Sequence, residues 1–556
     1  MKGVINNKIV LGIGMYIVTF LVSILIVSGI VWHLGWHISP FVMIIAILLA
    51  LPVFMLIKMD KKEVLTAVSI SLSIIFLSTL METFVYDVSY DGNAYHQPTI
   101  YALAHGWNPV REHHNPVIAD SWDMNVWIDH YSKGAETISA VFYAVTGNIE
   151  SGKALNLLLP ISLFLILYYF FKERFIVRLS NRKSILYSIG IAFSMITMGQ
   201  LTSFYIDHVG YFTFILALIG TYDLINGRSD GKFAYWCIAC SILLAGSVKV
   251  NMLFWGGFIM ACAIIILLIK KRAKIAMSLA VFCSLVAIAA IVVLAYNPFV
   301  CNYLDYRNPF YPLFDKRSPA GDAISICGQP PYIQNAPRYK QIAYSYFQRP
   351  TNDMTATGYV PPYIITPTNI FRSGFCSTNV GGGGLFFIEI LLMTFFIYLF
   401  FRKGKYYKQF VVVAILLIST LFILPLGSLF RYVPFIYLLP FLALLYLETI
   451  ESQTKQYRIA KNILAALLIC NITLCTGVTF ATTALEQTVT MRSVKMLEGQ
   501  GGESFYTSNW GFCNKLYHGD MNGKHPVSPL FPESQYEREK YIGGPYVYIK
   551  TMITDE

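Results

Sequence analysis

The sequence predicts an all-α polytopic membrane protein with about thirteen transmembrane helices, and three observations predict it. The 556 residues are 56% apolar, 15% aromatic and only 13% charged, with a mean hydropathy of +0.55; soluble domains carry roughly twice that charged share. Apolar runs of about 17–23 residues recur along the chain, long enough to cross the roughly 30 Å hydrocarbon core as helices. Basic residues gather in alternate short connections, which is the asymmetry the positive-inside rule describes.

The spans begin near Ile9, Ser39, Val64, Lys153, Ser184, Phe204, Phe233, Val250, Ile275, Leu385, Gln409, Arg431 and Ala460. The first is too long for a signal h-region and has no small-residue cleavage site, so it is read as a retained helix. Connections after even-numbered spans carry Lys58, Lys61 and Lys62; Lys172, Arg174, Arg178, Arg182 and Lys183; Arg228 and Lys232; Lys270, Lys271, Arg272 and Lys274; Arg402, Lys403, Lys405 and Lys408; and Lys455, Arg458 and Lys461. With Lys2 and Lys8 these make 23 of the 42 basic residues, so the N-terminus is expected in the cytoplasm and the long polar segments outside. The same asymmetry accounts for the net charge of +11. No dense basic stripe interleaved with aromatics occurs in a soluble segment, which argues against nucleic acid as a partner.

Residues 1–480 are expected to form the transmembrane domain. Three outer segments follow from the sidedness: 84–152, 297–384 and 481–556. Within the first, 98–104 and 135–145 have helical composition without the length to span, and are expected as amphipathic helices on the membrane surface. The second is rich in Pro, Tyr and Asn and reads as an ordered loop. The tail reads as a small lid or cap. Among the outer cysteines Cys301, Cys327, Cys376 and Cys513, three pairings are open; a Cys327–Cys376 bridge stapling the second loop is the one favoured here.

Chemistry is expected first in the stretch from Tyr86 to Gly147, a polar island on an oily chain. It holds five of the ten histidines and three of the eight tryptophans. Asp91, just beyond the third span, is positioned to take a proton from a hydroxyl at the bilayer surface; the plainer alternative is a loop aspartate capping the turn that follows. Tyr95, His96 and Pro98 mark the place as structured. Lys133 and Glu136, three apart, share a helix face, either as a simple intrahelical pair or as phosphate and substrate contacts. Glu112 with His113 and His114, or Asp120 with Asp123, offer ligands for a divalent ion, but no spacing matches a strong signature such as HExxH. No metal or other cofactor is assigned on this reading.

Asp207 lies at the outer end of the sixth span, where an ionisable residue is expensive and hence a functional candidate. Lys249 could hold a phosphate or simply snorkel. Arg431, in GSLFRYVPF, carries a guanidinium fork that fits phosphate oxygens. Arg307 follows the ninth span within NPFVCNYLDYRNPFYPL, which reads mainly as a turn.

Taken together, YDGNAYH with Asp91, HYSKGAE, FYID, NPF followed by NPFYPL, and FRYVPF followed by LLP resemble bacterial GT-C superfamily membrane glycosyltransferases. The resemblance covers most of residues 60–450 and lies in the order and common sidedness of the motifs. It implies a multi-span fold with catalysis on the outer face of the cytoplasmic membrane. It implies Asp91 as the catalytic base, a polyprenyl-phosphate sugar donor bound through Arg431, and a glycan, lipid or protein acceptor. His96, Lys133, Glu136, Asp207, Lys249 and Arg307 are the further candidate substrate contacts. Two alternatives stay open at this point: a polysaccharide polymerase or ligase using polyprenyl-pyrophosphate glycans, and a non-enzymatic lipid-glycan transporter or flippase.

Overall fold

The computed structural model describes residues 6–118, 124–227, 231–315, 330–351, 357–374, 380–423, 427–450, 454–498, 504–506, 525–527, 536–541 and 548–552. Its fold is that of a helical membrane protein. Among the described residues, seven helices are long and apolar enough to cross a bilayer: Asn7–His33, Lys61–Thr83, Ile149–Arg174, Asp207–Asn226, Val250–Ile269, Ala273–Leu294 and Lys455–Arg492. Five shorter apolar helices accompany them: Phe41–Leu56, Lys232–Val248, Phe387–Phe400, Tyr407–Ile423 and Pro434–Glu448. The shortest, Phe387–Phe400, has 14 residues, about 21 Å of helix, and does not reach across the hydrocarbon by its own length.

The span expected near Ser184 is not one continuous helix. Asn181–Ala192 ends at Phe193, and Ser194, in an extended conformation, starts a second short helix at Met195–Gln200. Twelve residues fall short of a crossing.

Helix Asn7–His33 occupies the middle of the bundle, packed on Phe41–Ala50, Lys61–Thr83, Gly134–Thr146 and Ala154–Tyr169. Peripheral helices do the reverse. Met277, Val281, Leu285 and Ile288 are exposed along one face of Ala273–Leu294, as are Leu65, Phe76, Leu77 and Met81 on Lys61–Thr83. Such stripes follow the helical period, and hydrocarbon is the solvent that suits them. Helix Lys61–Thr83 starts at a capping box, with Asp60 Oδ1 accepting from the Glu63 amide at 2.9 Å and Glu63 Oε2 accepting from the Asp60 amide at 3.1 Å.

Two elements depart from the sequence expectation. The helices of the 84–152 segment do not lie on the surface. Gly134–Thr146 is buried continuously from Gly134 to Tyr143, and most of Gln97–Ala104 is buried with it. Small residues explain this: Gly134, Ala135, Ser139 and Ala140 allow close approach, and a Cβ on Gly134 would lie 2.7 Å from the Ser247 carbonyl oxygen. The second departure is the tail. The last helix continues to Glu498, well past the expected boundary at 480. Beyond it, in the tail, lie two short strand pairs, Ser504–Tyr506 with His525–Val527 in parallel and Tyr536–Tyr541 with Tyr548–Met552 antiparallel. Tyrosines in both strands of the second pair favour extended structure there. Of the outer cysteines, Cys301 is a buried free thiol; Cys327, Cys376 and Cys513 lie outside the described residues.

The two ends of the bundle differ in charge. At one end Glu448 receives Lys183 at 2.6 Å and Lys461 at 3.2 Å, and Arg174 approaches Asp223 at 3.5 Å. These are residues of the basic connections or their partners. Glu448 and Asp223 stand near the C-termini of Pro434–Glu448 and Asp207–Asn226. The opposite ends of the same two helices carry the candidate site.

Candidate functional site

Asp91 is positioned by a folded turn that starts at Asp87. The Asp87 carboxylate accepts from the Ser89 amide at 2.8 Å and the Ser89 hydroxyl at 3.0 Å, closing an Asx turn. It also accepts from the Phe204 amide at 3.3 Å, which ties this loop to the segment leading into Asp207. Gly92 packs against the same carboxylate so closely that a Cβ there would sit 1.7 Å from Asp87 Oδ2. Beneath the turn, buried Lys153 pairs with Glu82 at 3.3 Å and Glu150 at 3.2 Å, and Glu150 accepts from the Asp87 amide at 3.0 Å. A π-turn, Gly92–His96, then runs from Asp91 into helix Gln97–Ala104.

Four of the charged residues singled out in the sequence meet here. Arg431 stands in a 3₁₀ turn, Phe430–Tyr432, ahead of the helix that Pro434 begins. Its Nη2 donates to Asp91 Oδ2 at 2.5 Å and its Nε to Asp207 Oδ2 at 3.0 Å. Lys249 Nζ donates to Asp207 Oδ1 at 2.6 Å, and Gln200 Nε2 donates to Asp207 Oδ2 at 3.0 Å. Asp207 opens its helix, where the exposed amides and the dipole favour a carboxylate. Lys249 sits in the extended break between Lys232–Val248 and Val250–Ile269.

Aromatic rings enclose the cluster. The guanidinium of Arg431 lies 4.6 Å from the Tyr205 ring centroid and 5.6 Å from that of Tyr432, and Lys249 Nζ lies 4.6 Å from Tyr432. Tyr95 and Tyr131 form a further wall, their rings 6.3 Å apart. Burial first, and the neighbouring Asp91 next, hold the Tyr95 phenol well above its usual range, so it stays a neutral hydrogen-bonding group. Burial alone would lower Lys249, but Asp207 holds its ammonium above the ordinary lysine range.

Two carboxylates against two cations leave the quartet neutral, the condition under which charges tolerate burial. Access is uneven. The Asp207 side chain is 2% exposed and that of Lys249 6%, whereas Arg431 reaches 10% and Asp91 14%. A ligand entering the cluster therefore meets Asp91 and Arg431 first. Next to them Phe430 lines a small recess with Ser345, Gln348 and the 381–384 glycine run. There Ser345 Oγ and Gln348 Nε2 are buried without hydrogen-bond partners among the described residues.

The other expected site residues lie elsewhere. His96 Nδ1 meets Glu136 Oε1 at 2.5 Å, both buried, and Glu136 Oε2 has no hydrogen-bond partner among the described residues. Lys133 makes no ion pair with Glu136 among the described residues. Its ammonium donates to the Asp129 carbonyl at 2.8 Å, the Tyr131 carbonyl at 2.8 Å and Asn297 Oδ1 at 2.7 Å, which uses all three protons. Burial pushes it down to about 8, against the pull of Asp129 and Glu136. It pins the first long loop to the second and has no proton left for a phosphate. Arg307 is exposed at the end of Tyr296–Tyr306, its guanidinium 5.8 Å from the Tyr303 ring, outside the quartet.

Of the ligand sets expected for a divalent ion, Glu112 with His113 and His114 does not assemble as written. His113 pairs with Asp305 at 2.7 Å, and Glu112 accepts from the Asn108 amide at 3.3 Å. Asp120 and Asp123 lie outside the described residues. His114 instead groups with Asp129 and His130. Sequence reasoning missed Asp87, Gln200, Tyr205 and Tyr432. Tyr205 and Tyr432 had a signal, each being an aromatic within two residues of a candidate charge; Gln200 had none.

No family model, no curated protein and no solved structure matches the chain.

Proposed function

We propose that the chain is an inverting glycosyltransferase that moves a sugar from a polyprenyl-phosphate donor to a hydroxyl of a glycan, lipid or protein acceptor. The observation that carries this reading is the convergence of Asp91, Asp207, Lys249 and Arg431 on one end of the bundle, from four separate segments. Two cations matched to a lipid phosphate stand beside a carboxylate matched to an acceptor proton. The asymmetry of basic connections supports an outer-face site on the cytoplasmic membrane, with the N-terminus inside.

In this mechanism the donor phosphate takes the place of Asp91 on the Arg431 fork. Released from its ion pair, Asp91 accepts the proton of the acceptor hydroxyl. The acceptor oxygen attacks the anomeric carbon from the face opposite the phosphate. A new C–O bond forms, the bond from C1 to the phosphate oxygen breaks, and its electron pair leaves on the lipid phosphate. Arg431 and Lys249 stabilise that developing charge in a site poor in water, where such contacts act most strongly. Asp207 holds both cations in register.

The test is donor choice. Membranes containing the full-length chain are incubated with labelled polyprenyl-monophosphate sugars and, separately, with polyprenyl-pyrophosphate glycans. Transfer from the monophosphate with inverted anomeric configuration is expected. Transfer from the pyrophosphate alone replaces this reading with a polymerase or ligase, and lipid translocation without any transfer replaces it with a flippase.

A further inference from the structure

We infer that His114, Asp129 and His130 form a binding site for one borderline divalent cation of the zinc type, separate from the Asp91–Arg431 quartet. One nitrogen from each imidazole and one Asp129 oxygen all lie within 4.8 Å of one another. The two rings stand nearly perpendicular, 5.5 Å apart between centroids. Two imidazoles and a carboxylate, with room for a fourth ligand, are a donor set suited to zinc or a neighbouring transition metal.

The surroundings are built as a metal site requires. The Asn302 side-chain amide donates to the Tyr311 carbonyl at 2.8 Å and the His130 carbonyl at 3.3 Å, which fixes its oxygen toward the His130 ring. That oxygen only accepts, so His130 Nδ1, 2.8 Å away, carries the proton. The lone pair is left on Nε2, which has no hydrogen-bond partner among the described residues. This is the second-shell device that orients a ligating histidine. Tyr306 and Tyr311 hold the ring edge-on from the other side, at 5.2 and 4.8 Å. Asp129 is oriented likewise: Oδ1 accepts from the Asn115 amide at 2.9 Å and the Asn115 side chain at 2.8 Å, leaving Oδ2 toward His114 at 3.1 Å.

His114 Nδ1 and Asp129 Oδ2 already stand near ligand spacing, 3.1 Å apart. Ligands of a tetrahedral zinc lie about 3.3 Å apart, from metal–ligand distances of about 2.0–2.1 Å. His114 is 60% exposed on a loop, so it is the ligand with most room to adjust. The ion would cross-link two parts of the first long loop, at 114 and at 129–130, beside helix Tyr296–Tyr306, to which Asn302 already ties His130.

The inference is independent of sugar transfer, and its readout is metal binding alone. Untagged full-length protein in detergent is equilibrated with zinc, and bound metal per chain is measured by elemental analysis; cobalt is added in parallel to read the ligand-field absorption. One zinc per chain is expected, with a four-coordinate cobalt spectrum. His114→Ala, an exposed position that the fold tolerates, is expected to weaken binding by about 100-fold, and Asn302→Ala by about tenfold. His105→Ala, on an exposed histidine outside the group, is expected to leave binding unchanged. Failure of the wild-type chain to bind zinc or cobalt stoichiometrically, or wild-type binding by His114→Ala, overturns the proposal.

Discussion

Asp91→Asn protein is expected to transfer sugar about 10²–10⁴-fold more slowly than wild type, the range that loss of a general base produces. Asparagine keeps the shape of the side chain and a carbonyl oxygen for Arg431 Nη2, which Asp91 now meets at 2.5 Å. It does not accept the acceptor proton. The same change removes a negative charge that competes with the donor phosphate for Arg431. The loss should therefore fall on kcat, with donor affinity kept or improved. A protein that instead loses donor binding or unfolds would assign Asp91 to scaffolding, and the base would have to be sought at Glu136, whose Oε2 is buried and without a partner among the described residues.

The largest effect on stability is expected at Asp207. It is the shared partner of Lys249 and Arg431, and its side chain is almost fully buried. Asp207→Leu leaves two buried cations with one partial partner between them, at a cost of about 3–5 kcal/mol for breaking a buried pair from one side. Adding Lys249→Met removes one orphaned charge, and the double variant is expected to recover part of the loss, because replacing both members of a buried pair is far cheaper than replacing one. Unfolding of the detergent-solubilised variants checks this. A double variant no more stable than Asp207→Leu alone contradicts the account of Asp207 as the anchor of both cations.

Much of the fold was legible because a transmembrane helix is a local property: its apolar run and the basic residues beside it are contiguous in the chain. Where locality failed, so did the reading. The break at Phe193 and Ser194 depends on a turn that must bring Gln200 back to Asp207, and hydropathy carries no trace of that. Gly134–Thr146 looked like a surface helix because it has helical composition without the length to span. The small size of Gly134, Ala135, Ser139 and Ala140, which a length count does not read, decided its place against Ser247.

The candidate site shows the same division. Asp91, Asp207, Lys249 and Arg431 each stood out as an ionisable group at the end of an apolar run. That they pair with one another was not readable, since Asp91 and Arg431 are 340 positions apart. Lys133 and Glu136 looked like partners because they are three apart; burial gave each a different partner, Asn297 and His96.

Equilibrium binding of a labelled polyprenyl-phosphate sugar to wild-type and Arg431→Gln protein tests most directly whether the quartet holds a lipid phosphate through Arg431. Wild-type protein should bind, and Arg431→Gln should bind at least tenfold more weakly, a charged hydrogen bond contributing about 1.5–3 kcal/mol. Equal binding by the two folded proteins would contradict the account.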